Sequence, residues 1–459
     1  MVRPLFKGGN SSDLNSYRPI SILPCAFKIL ENLVNKQLTH HLETHKILSP
    51  VQSGFRSGHG CITAVLKVVD DIASALDSKL YCAAVFIDLA KAFDSVNHSI
   101  LLNTLGSIGI SNQSLLWFTN YLSGRMQQVN INSFYSQPLQ VSKGVPQGSV
   151  LGPTLFSIYI NDIPNAVSKG SVHLYADDTV LYDSGPSPEM VCHSLQQGFL
   201  DIQNAFTNIG LSLNAKKTKI MWFNSTRTVT SPFPDLTTSD GTILEQVTEY
   251  KYLGIWLDNA LSFRHHISML QSKVKAKLGF LYRNRSVFTF SAKKIIVEMC
   301  ILPLFDYGDI IYRHACKGSL QKLDTIFHSA IRFVTNAPYR THHCQLYSQV
   351  NWSSLQSRRN NHWLIFIYKS LLGLSPPYLT QLLQLEHPSR YNTRSSQLLK
   401  LKVPKTRTSF GLMSFHFAAP NDWNFYQRTL HLETLISLSA FKRRVKDIFK
   451  ESCTCFLNR

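Results

Sequence analysis

The sequence predicts an α+β fold, an antiparallel sheet covered by helices, followed by a basic, mostly helical C-terminal region. Apolar residues recur at helical spacing over residues 20–48 and 62–76. An unbroken apolar run over residues 80–87 (LYCAAVFI) predicts a buried strand that ends at Asp88. Two short apolar segments, 172–175 and 179–182, flank Asp177 and Asp178 and predict a hairpin with both carboxylates at its tip.

The remaining elements follow from the same patterns. Helical spacing covers the stretches 99–122, 150–160 and 189–209, and basic amphipathic helices begin near residue 264. Extended segments are predicted at 129–131, 139–141, 218–223 and 250–257. The segment Gly144–Gly148 (GVPQG) predicts a rigid turn that leads into the helix at 150.

Charge is distributed unevenly along this chain of 459 residues. With 44% hydrophobic and 16% charged residues, the composition excludes a disordered polycation. The formal net charge is +19, yet residues 151–260 hold 6 Lys and Arg against 11 Asp and Glu, and residues 261–459 hold 29 against 9. An acidic middle beside a basic end predicts bound cations at the first and a polyanion held by the second, although a solvated basic face would give the same count.

The N-terminal residues MVRPLFKGGNSSD are too polar for a secretory leader. No stretch of about 20 mainly apolar residues, the length of a membrane span, is present. The sequence therefore predicts an intracellular protein of the nucleus, the cytoplasm or both, which is not secreted and has no membrane partner.

The three carboxylates carry the predicted chemistry. A carboxylate at the end of an apolar strand, such as Asp88, is costly unless a cation pairs with it. If Asp177 and Asp178 come close to it, a divalent metal is needed to offset the repulsion, and Mg²⁺ suits carboxylates that share it with phosphates and water. Two such ions activate a hydroxyl and stabilise a leaving pyrophosphate. Taken singly, a strand-terminal Asp and an Asp-Asp turn are ordinary surface features.

Five segments in a fixed order raise this pattern above chance. The sequence resembles the reverse transcriptase of non-LTR (LINE-type) retrotransposons, of the jockey-like branch, closely over residues 2–260 and more loosely to about 450. The segments that carry the resemblance are Tyr17–Ser21 (YRPIS), Ser53–Arg56 (SGFR), Phe86–Asp94 (FIDLAKAFD), Gly144–Pro153 (GVPQGSVLGP) and Tyr175–Asp178 (YADD).

The resemblance implies a right-hand polymerase fold and RNA-templated DNA synthesis with two Mg²⁺ ions. Its implied partners are an RNA template, a DNA primer with a 3′-hydroxyl, and deoxynucleoside triphosphates. The implied domains are incomplete fingers over 1–79, a palm over 80–258, thumb-like basic helices over 259–335 and a basic C-terminal region over 336–459.

The resemblance also assigns catalytic and metal-binding roles. Asp88 and Asp177 match the two metal-binding carboxylates, and Asp178 matches their less directly engaged partner. Leu89 contributes its backbone beside the metals.

Four further residues match nucleotide-binding positions. Arg56 would hold triphosphate oxygens through its planar fork, and Gln147 would orient the template or the nucleotide. The ring of Phe93 would exclude a 2′-hydroxyl, unless it is a simple core residue. Lys217 would act near the leaving pyrophosphate as a general acid, unless it is only a solvated lysine.

Primer and template contacts are implied at two places. Gly148 would let a nucleic-acid strand approach the backbone closely. Tyr252, Leu253 and Gly254 match a hairpin that grips the primer end, although Tyr252 would equally suit packing.

The sequence departs from the family at its beginning. Such elements carry an endonuclease and earlier finger segments upstream, neither of which is found after Met1, so we expect a chain truncated at the N-terminus. Two alternatives remain open: an inactive remnant that binds RNA without polymerising, and a reverse transcriptase of the intron-maturase type.

Overall fold

The structure is a computed structural model, and it describes residues 1–223, 233–386 and 398–449. In these ranges the strands are β1 Val2–Phe6, β2 Tyr17–Ser21, β3 Tyr81–Ile87, β4 Leu89–Ala90, β5 Met126–Gln127, β6 Asn130–Ile131, β7 Phe134–Tyr135, β8 Leu139–Gln140, β9 Ser171–Tyr175, β10 Asp178–Gly185, β11 Ser212–Leu213, β12 Lys219–Phe223, β13 Glu245–Gln246, β14 Glu249–Tyr252 and β15 Ile255–Asp258.

The helices follow the same order along the chain. They are α1 Cys25–Thr44, α2 Cys61–Asp77, α3 His98–Ser107, α4 Asn112–Leu122, α5 Gly152–Tyr159, α6 Pro188–Asn208, α7 Arg264–Arg283, α8 Phe290–Cys300, α9 Leu302–Asp306, α10 Lys317–Thr335, α11 His343–Val350, α12 Leu355–Leu371, α13 Pro377–Thr380, α14 Ser409–Met413, α15 Phe415–Leu430 and α16 Leu438–Ile448.

The chain divides into two compact units. The first comprises Met1–Gly60, Cys82–Trp222 and Val229–Val247, and the second comprises Cys61–Tyr81, Phe223–Thr228 and Thr248–Arg459. Where the structure describes it, the first unit contains the large sheet, whereas the second is mostly helical.

A five-stranded sheet in the order β13-β12-β3-β10-β9 forms the centre of the first unit. Residues 82–87 of β3 are all buried, because neighbours cover both faces of this strand, as the continuous apolar run predicts. The hairpin of β9 and β10 is antiparallel, as predicted. At the other edge β13 pairs with β12 in parallel, so the sheet is mixed where the sequence predicts only antiparallel pairing.

The helical stretch predicted over 99–122 is two helices, α3 and α4. Gly109, with a φ of 88°, turns the chain between them. The hydroxyl of Ser111 then accepts a hydrogen bond from the N–H of Ser114 and caps the start of α4. Helical periodicity continues across this turn, so the pattern alone hides the break.

The turn at 144–148 is held by backbone contacts on both sides. The N–H of Val145 donates to the carbonyl of Phe93 at 2.9 Å, and the N–H of Ser21 donates to the carbonyl of Gln147 at 2.7 Å. Gly148 has a φ of 107°, and a Cβ there would lie 2.8 Å from the carbonyl oxygen of Ser21. A side chain at Gly148 would therefore separate the turn from β2.

Buried Glu31 on α1 fixes the chain just after this turn. Its carboxylate accepts hydrogen bonds from the hydroxyl of Tyr121 at 2.6 Å and from the N–H of Val150 at 2.8 Å. A fully buried carboxylate is tolerated only with such partners, so Glu31 links α1, α4 and the start of the helix that follows the turn.

In the second unit the predicted basic amphipathic helix is confirmed as α7. Its Leu270, Val274, Leu278 and Leu281 are buried, and α7 packs against α10. Farther along, α12, α15 and α16 bury an aromatic cluster, in which the ring centroids of Tyr368 and Phe441 lie 3.7 Å apart. The basic C-terminal region thus has an apolar core of its own.

The side chains of α2 also hold two helix starts in this unit. Asp77 accepts hydrogen bonds from the N–H and hydroxyl of Thr408, just before α14, at 2.6 and 2.8 Å. Asp70 accepts from the N–H of His416 in the first turn of α15 at 2.9 Å. Carboxylates are favoured there because unpaired N–H groups and the helix dipole both attract negative charge.

Among the residues that the structure describes, no helix is both long enough and apolar enough to cross a membrane.

The burial of Asp70 predicts a pH-dependent stability. Burial is the main cause that raises the pKa of Asp70 to about 6, against the opposing hydrogen bond from the N–H of His416. Since the folded state then binds more protons than the unfolded state, stability falls as the pH rises from about 4 to about 6. We expect Asp70→Asn, which keeps the acceptor for His416, to stabilise the protein at pH 7.5 by on the order of 1–3 kcal/mol and to have little effect at pH 4.

Urea unfolding at the two pH values measures this difference. Asp71→Asn, which removes the 2.6 Å ion pair with Lys67 on the same helix, is the comparison variant; because the charge of Asp71 also raises the pKa of Asp70, it should stabilise the protein at pH 7.5 less than Asp70→Asn does. An equal effect of Asp70→Asn at pH 4 and pH 7.5 would contradict the interpretation.

The contact at Gly148 predicts a second stability effect. Gly148→Ala should destabilise the protein by more than Gly8→Ala, because both glycines have similar φ values, 107° and 111°, but a Cβ at position 8 has no heavy atom within 4 Å. The difference between the two variants, expected to be on the order of 1–3 kcal/mol, isolates the clash with Ser21 from the cost of the backbone conformation. Thermal unfolding of both variants provides the measurement, and equal losses would rule out the clash.

Candidate active site

Asp88 is the residue that follows β3, and its backbone is fixed on both sides. Its N–H donates to the hydroxyl of Thr218 at 3.3 Å, and its carbonyl accepts from the N–H of Asn214 at 2.8 Å. Beyond it, β4 pairs with β11. The buried strand therefore holds the carboxylate of Asp88 at a defined position, where the side chain remains 33% exposed.

Asp177 lies in the two-residue turn between β9 and β10, where Tyr175 pairs with Asp178. Ala176, the other turn residue, has a φ of 55°, a left-handed conformation that costs energy in a residue other than glycine. Gly54 packs directly against this turn, since a Cβ there would lie 2.4 Å from the N of Ala176. The segment before Gly54 is bonded to β9, with the N–H of Ser53 donating to Leu174 at 2.9 Å.

Asp88 and Asp177 face the same cleft of the first unit, which has a volume of about 1290 Å³. The structure brings six of the eleven predicted site residues to its lining: Asp88, Phe93, Gln147, Gly148, Asp177 and Lys217. Leu89 also lines the cleft, although its side chain is 7% exposed.

The three carboxylates influence one another electrostatically. Desolvation by the surrounding protein, together with the charges of Asp177 and Asp88, raises the pKa of Asp178 to about 6 against the opposing charge of Arg18. The pKa of Asp177 is raised by the same desolvation and by Asp88. A cation in the cleft would relieve this repulsion, and carboxylate oxygens are the ligands that Mg²⁺ prefers. The donor set therefore fits a divalent metal.

Lys217 lies beside Asp88, with 3.9 Å between its Nζ and Oδ2 of the carboxylate. It follows β11 in a turn in which the N–H of Lys217 donates to the carbonyl of Asn214. Its side chain is 70% exposed, so the ammonium group is accessible to a ligand that enters the cleft.

Phe93 contributes an aromatic wall. Its ring stacks on fully buried Phe156 with centroids 4.4 Å apart, and Phe55 meets it edge-on at 6.5 Å. The residue is half-buried and lines the cleft. The ring of Phe93 therefore packs against the core and also lines the cleft.

Gln147 is anchored by Asp94. Its side-chain N–H₂ donates to both carboxylate oxygens of Asp94 at 3.0 Å, so its carbonyl oxygen is the atom directed to other partners. Burial raises the pKa of Asp94, whereas Gln147 and the nearby Lys91 and Lys7 lower it.

Arg56 lies outside the lining of this cleft. Its Nε donates to Oε1 of Glu43 at 2.8 Å, its Nη1 donates to the carbonyl of Ser49, and its side chain is 11% exposed. Contact with a triphosphate would require this ion pair to open, so the role of Arg56 stays a prediction.

The predicted primer hairpin belongs to the second unit. Tyr252 is buried and pairs with Ile255 across β14 and β15, and Leu253 and Gly254 form the turn, both with positive φ. The hydroxyl of Tyr307 donates to the carbonyl of Leu253 at 2.6 Å and packs on the turn. The hairpin is confirmed as an element, and its role with a primer stays a prediction.

Three cations that line the cleft are not among the predicted site residues. Arg18, Lys91 and Lys7 line it with the carboxylates, and each lies near enough to an acidic group to lower its pKa. The signal for Arg18 and Lys91 was their place inside the motifs YRPIS and FIDLAKAFD, whereas Lys7 stands in no motif.

The comparisons with known proteins point to one family. Residues 7–257 match the family described as "Reverse transcriptase (RNA-dependent DNA polymerase)". The chain is 31% identical over 357 residues to the probable RNA-directed DNA polymerase from transposon BS of Drosophila melanogaster, which covers 76% of this chain and 39% of the relative. It is 31% identical over 342 residues to the polymerase from mobile element jockey of the same species, covering 72% and 37%.

Among solved structures, a telomerase from Candida albicans in complex with a fragment of telomeric RNA aligns with this chain. The alignment covers 73% of this chain and 62% of the telomerase chain. The identity is 12% and the TM-score is 0.39.

The chain spans less than two fifths of the length of these curated relatives. The family match nevertheless covers more than half of the chain, and the combination of a sheet with helices and a helical C-terminal region agrees with the predicted fold class. The chain therefore belongs to the reverse transcriptase family, with the right-hand polymerase fold and with jockey-like relatives from non-LTR retrotransposons.

Proposed function

We propose that this chain is an RNA-directed DNA polymerase that adds deoxynucleotides to the 3′-hydroxyl of a primer. The observation that carries the proposal is the cleft in which Asp88, Asp177, Phe93 and Lys217 meet within the matched region. An RNA template, a DNA primer and deoxynucleoside triphosphates are the proposed partners.

Asp88 and Asp177 are the proposed ligands of two Mg²⁺ ions, with Asp178 as their neighbour. Such ions, when bound, activate a hydroxyl and neutralise charge on the phosphates. The desolvation and mutual repulsion of these carboxylates support the assignment, because a bound cation would offset both.

The nucleotide would lie between cations and aromatic rings. Lys217, beside Asp88, would hold or protonate the leaving pyrophosphate. Arg18 and Lys91 add positive charge for phosphate oxygens. The edge of Phe93 that faces the cleft would meet the sugar, and the carbonyl of Gln147 would contact the nucleotide or the template base.

We further propose the domain limits expected from the resemblance: fingers over 1–79, palm over 80–258, a thumb over 259–335 and a C-terminal region over 336–459. The alternatives of an inactive remnant and of a maturase-type enzyme are not favoured. The acidic residues of the cleft are intact, and the relatives reported above are polymerases of mobile elements.

The direct test is primer extension on poly(rA)/oligo(dT) with Mg²⁺ and dTTP. We expect Asp88→Asn and Asp177→Asn to lower extension by roughly a thousandfold, about 4 kcal/mol of transition-state stabilisation. Each substitution removes a charged metal ligand but keeps the volume of the side chain nearly unchanged. Binding of the template–primer should change little.

Asp162→Asn is the matched control, since Asp162 is an exposed carboxylate of the same unit outside the cleft. Extension by either cleft variant at the rate of the control would disprove the metal assignment. A wild-type protein that binds template–primer without extending it would instead favour the inactive remnant.

Phe93→Ala should relax the discrimination between deoxyribonucleotides and ribonucleotides, because the ring would no longer occlude the 2′-hydroxyl. Single-nucleotide insertion with dTTP and with UTP measures the ratio of the two efficiencies, and we expect it to fall by roughly tenfold or more, equivalent to about 1.4 kcal/mol. Tyr17→Ala removes another ring of the same cleft, one that packs against Phe6, and should keep the ratio. An unchanged ratio in Phe93→Ala would leave the ring with a packing role only.

A further inference from the structure

The second unit contains a cleft of about 1190 Å³ lined by parts of α7, α8 and α10 and by the loop that precedes α11. Its lining includes five Lys or Arg side chains and three histidines, but no Asp or Glu. The basic residues are Lys275, Arg285, Lys293, Arg332, Arg340, His328, His342 and His343.

Lys293 is the deepest cation of this cleft. It is 4% exposed, its Nζ donates to Oδ1 of Asn336 at 2.9 Å, and it lies 5.5 Å from the centre of the ring of Phe333. In the described ranges none of the ion pairs involves Lys293. A buried ammonium whose protein partners are neutral is costly, and an anion from outside the chain would offset that cost.

Two neighbouring groups point to the same ligand chemistry. The Nε of Arg332 is buried and has no hydrogen-bond partner among the described residues. Burial, together with the positive charges of His343 and Arg332, lowers the pKa of His328 to about 4. An unused buried donor and a local excess of positive charge both favour an anion with several acceptor oxygens.

An aromatic platform stands at the edge of the basic groups. Tyr339 is 86% exposed, and the guanidinium of Arg332 lies 5.3 Å from the centre of its ring. A large exposed ring beside phosphate-binding cations is the arrangement on which unpaired bases stack. In a duplex the faces of the bases are already stacked on each other, so the ring favours a single strand.

The size of the cleft excludes a single phosphate as its full occupant. Small-molecule pockets measure about 300–1,000 Å³, and this cleft exceeds that range. We propose that it binds a single-stranded nucleic acid, with phosphates on Lys293, Arg332 and Arg340 and a base stacked on Tyr339. This site is additional to the polymerase cleft, and its binding needs neither metal nor nucleotide.

Equilibrium binding of the full chain to fluorescent U₁₂ RNA in EDTA, read by anisotropy, tests the site. We expect Tyr339→Ala to weaken binding by roughly 5- to 100-fold through the lost stacking, and Tyr339→Phe to bind as the wild type does. Arg340→Ala should lower the slope of log K against log salt by about 0.7 if one phosphate contact is lost. Both side chains are exposed, so folding is not at risk.

The matched control is Lys322→Ala, which removes an exposed cation of α10 outside the cleft and should leave U₁₂ affinity unchanged. Wild-type affinity in both Tyr339→Ala and Arg340→Ala would overturn the proposal. An equal loss for a 12-base-pair duplex, or equally tight binding of polyglutamate that does not depend on Tyr339, would also overturn it. Parallel titrations with dT₁₂ distinguish a DNA ligand from an RNA ligand, and Tyr339-dependent binding of either supports the site.

Asp88→Asn separates this site from the polymerase proposal. The variant should bind U₁₂ as tightly as the wild type while losing extension. Failure of wild-type extension with Tyr339-dependent binding intact would count against the polymerase alone, and intact extension with Tyr339-independent binding would count against this cleft alone.

Discussion

The repulsion among Asp88, Asp177 and Asp178 is the constraint on which the first unit depends. Their desolvation raises the pKa values of two of the three groups, so the cleft as folded disfavours the charge that its chemistry needs. The fold holds these side chains in place mainly through backbone contacts, while Lys217 and Arg18 offset only part of their charge. The buried strand β3 does this for Asp88 and the β9–β10 hairpin does it for Asp177. In the proposed function, a bound cation balances the rest of this charge.

Backbone contacts dominate the construction of this site. The turn at 144–148 is bonded to Phe93 and Ser21 through main-chain groups, and Ser53 is bonded to β9 in the same way. Such contacts leave side chains available to a ligand, but they require close approach. That approach explains why Gly54 and Gly148 have no room for a Cβ. The motifs of the sequence therefore combine residues whose side chains face the cleft with glycines that allow two backbone segments to approach closely.

Much of this arrangement could be predicted from sequence, because it depends on local pattern. The apolar run before Asp88 and the paired short strands around Asp177 each specify an element together with the carboxylate at its end. Long-range partners could not be predicted in this way. Nothing in the spacing of Arg56 indicates that Glu43 binds it, and nothing near Gln147 indicates Asp94. Likewise, helical periodicity over 99–122 could not reveal the turn at Gly109, because the apolar spacing does not change there.

The net charge of the chain does not show that its two clefts differ in the charges that line them. The polymerase cleft lines its walls with carboxylates and cations together, whereas the cleft around Lys293 has cations and no acidic lining. A mixed lining suits a ligand that arrives with its own metal ions, because the acidic groups then bind the metal and the basic groups bind phosphate. An acid-free lining suits bare phosphate and should respond more steeply to salt. Under the two proposals, the two clefts therefore bind the same kind of polyanion in two different ways.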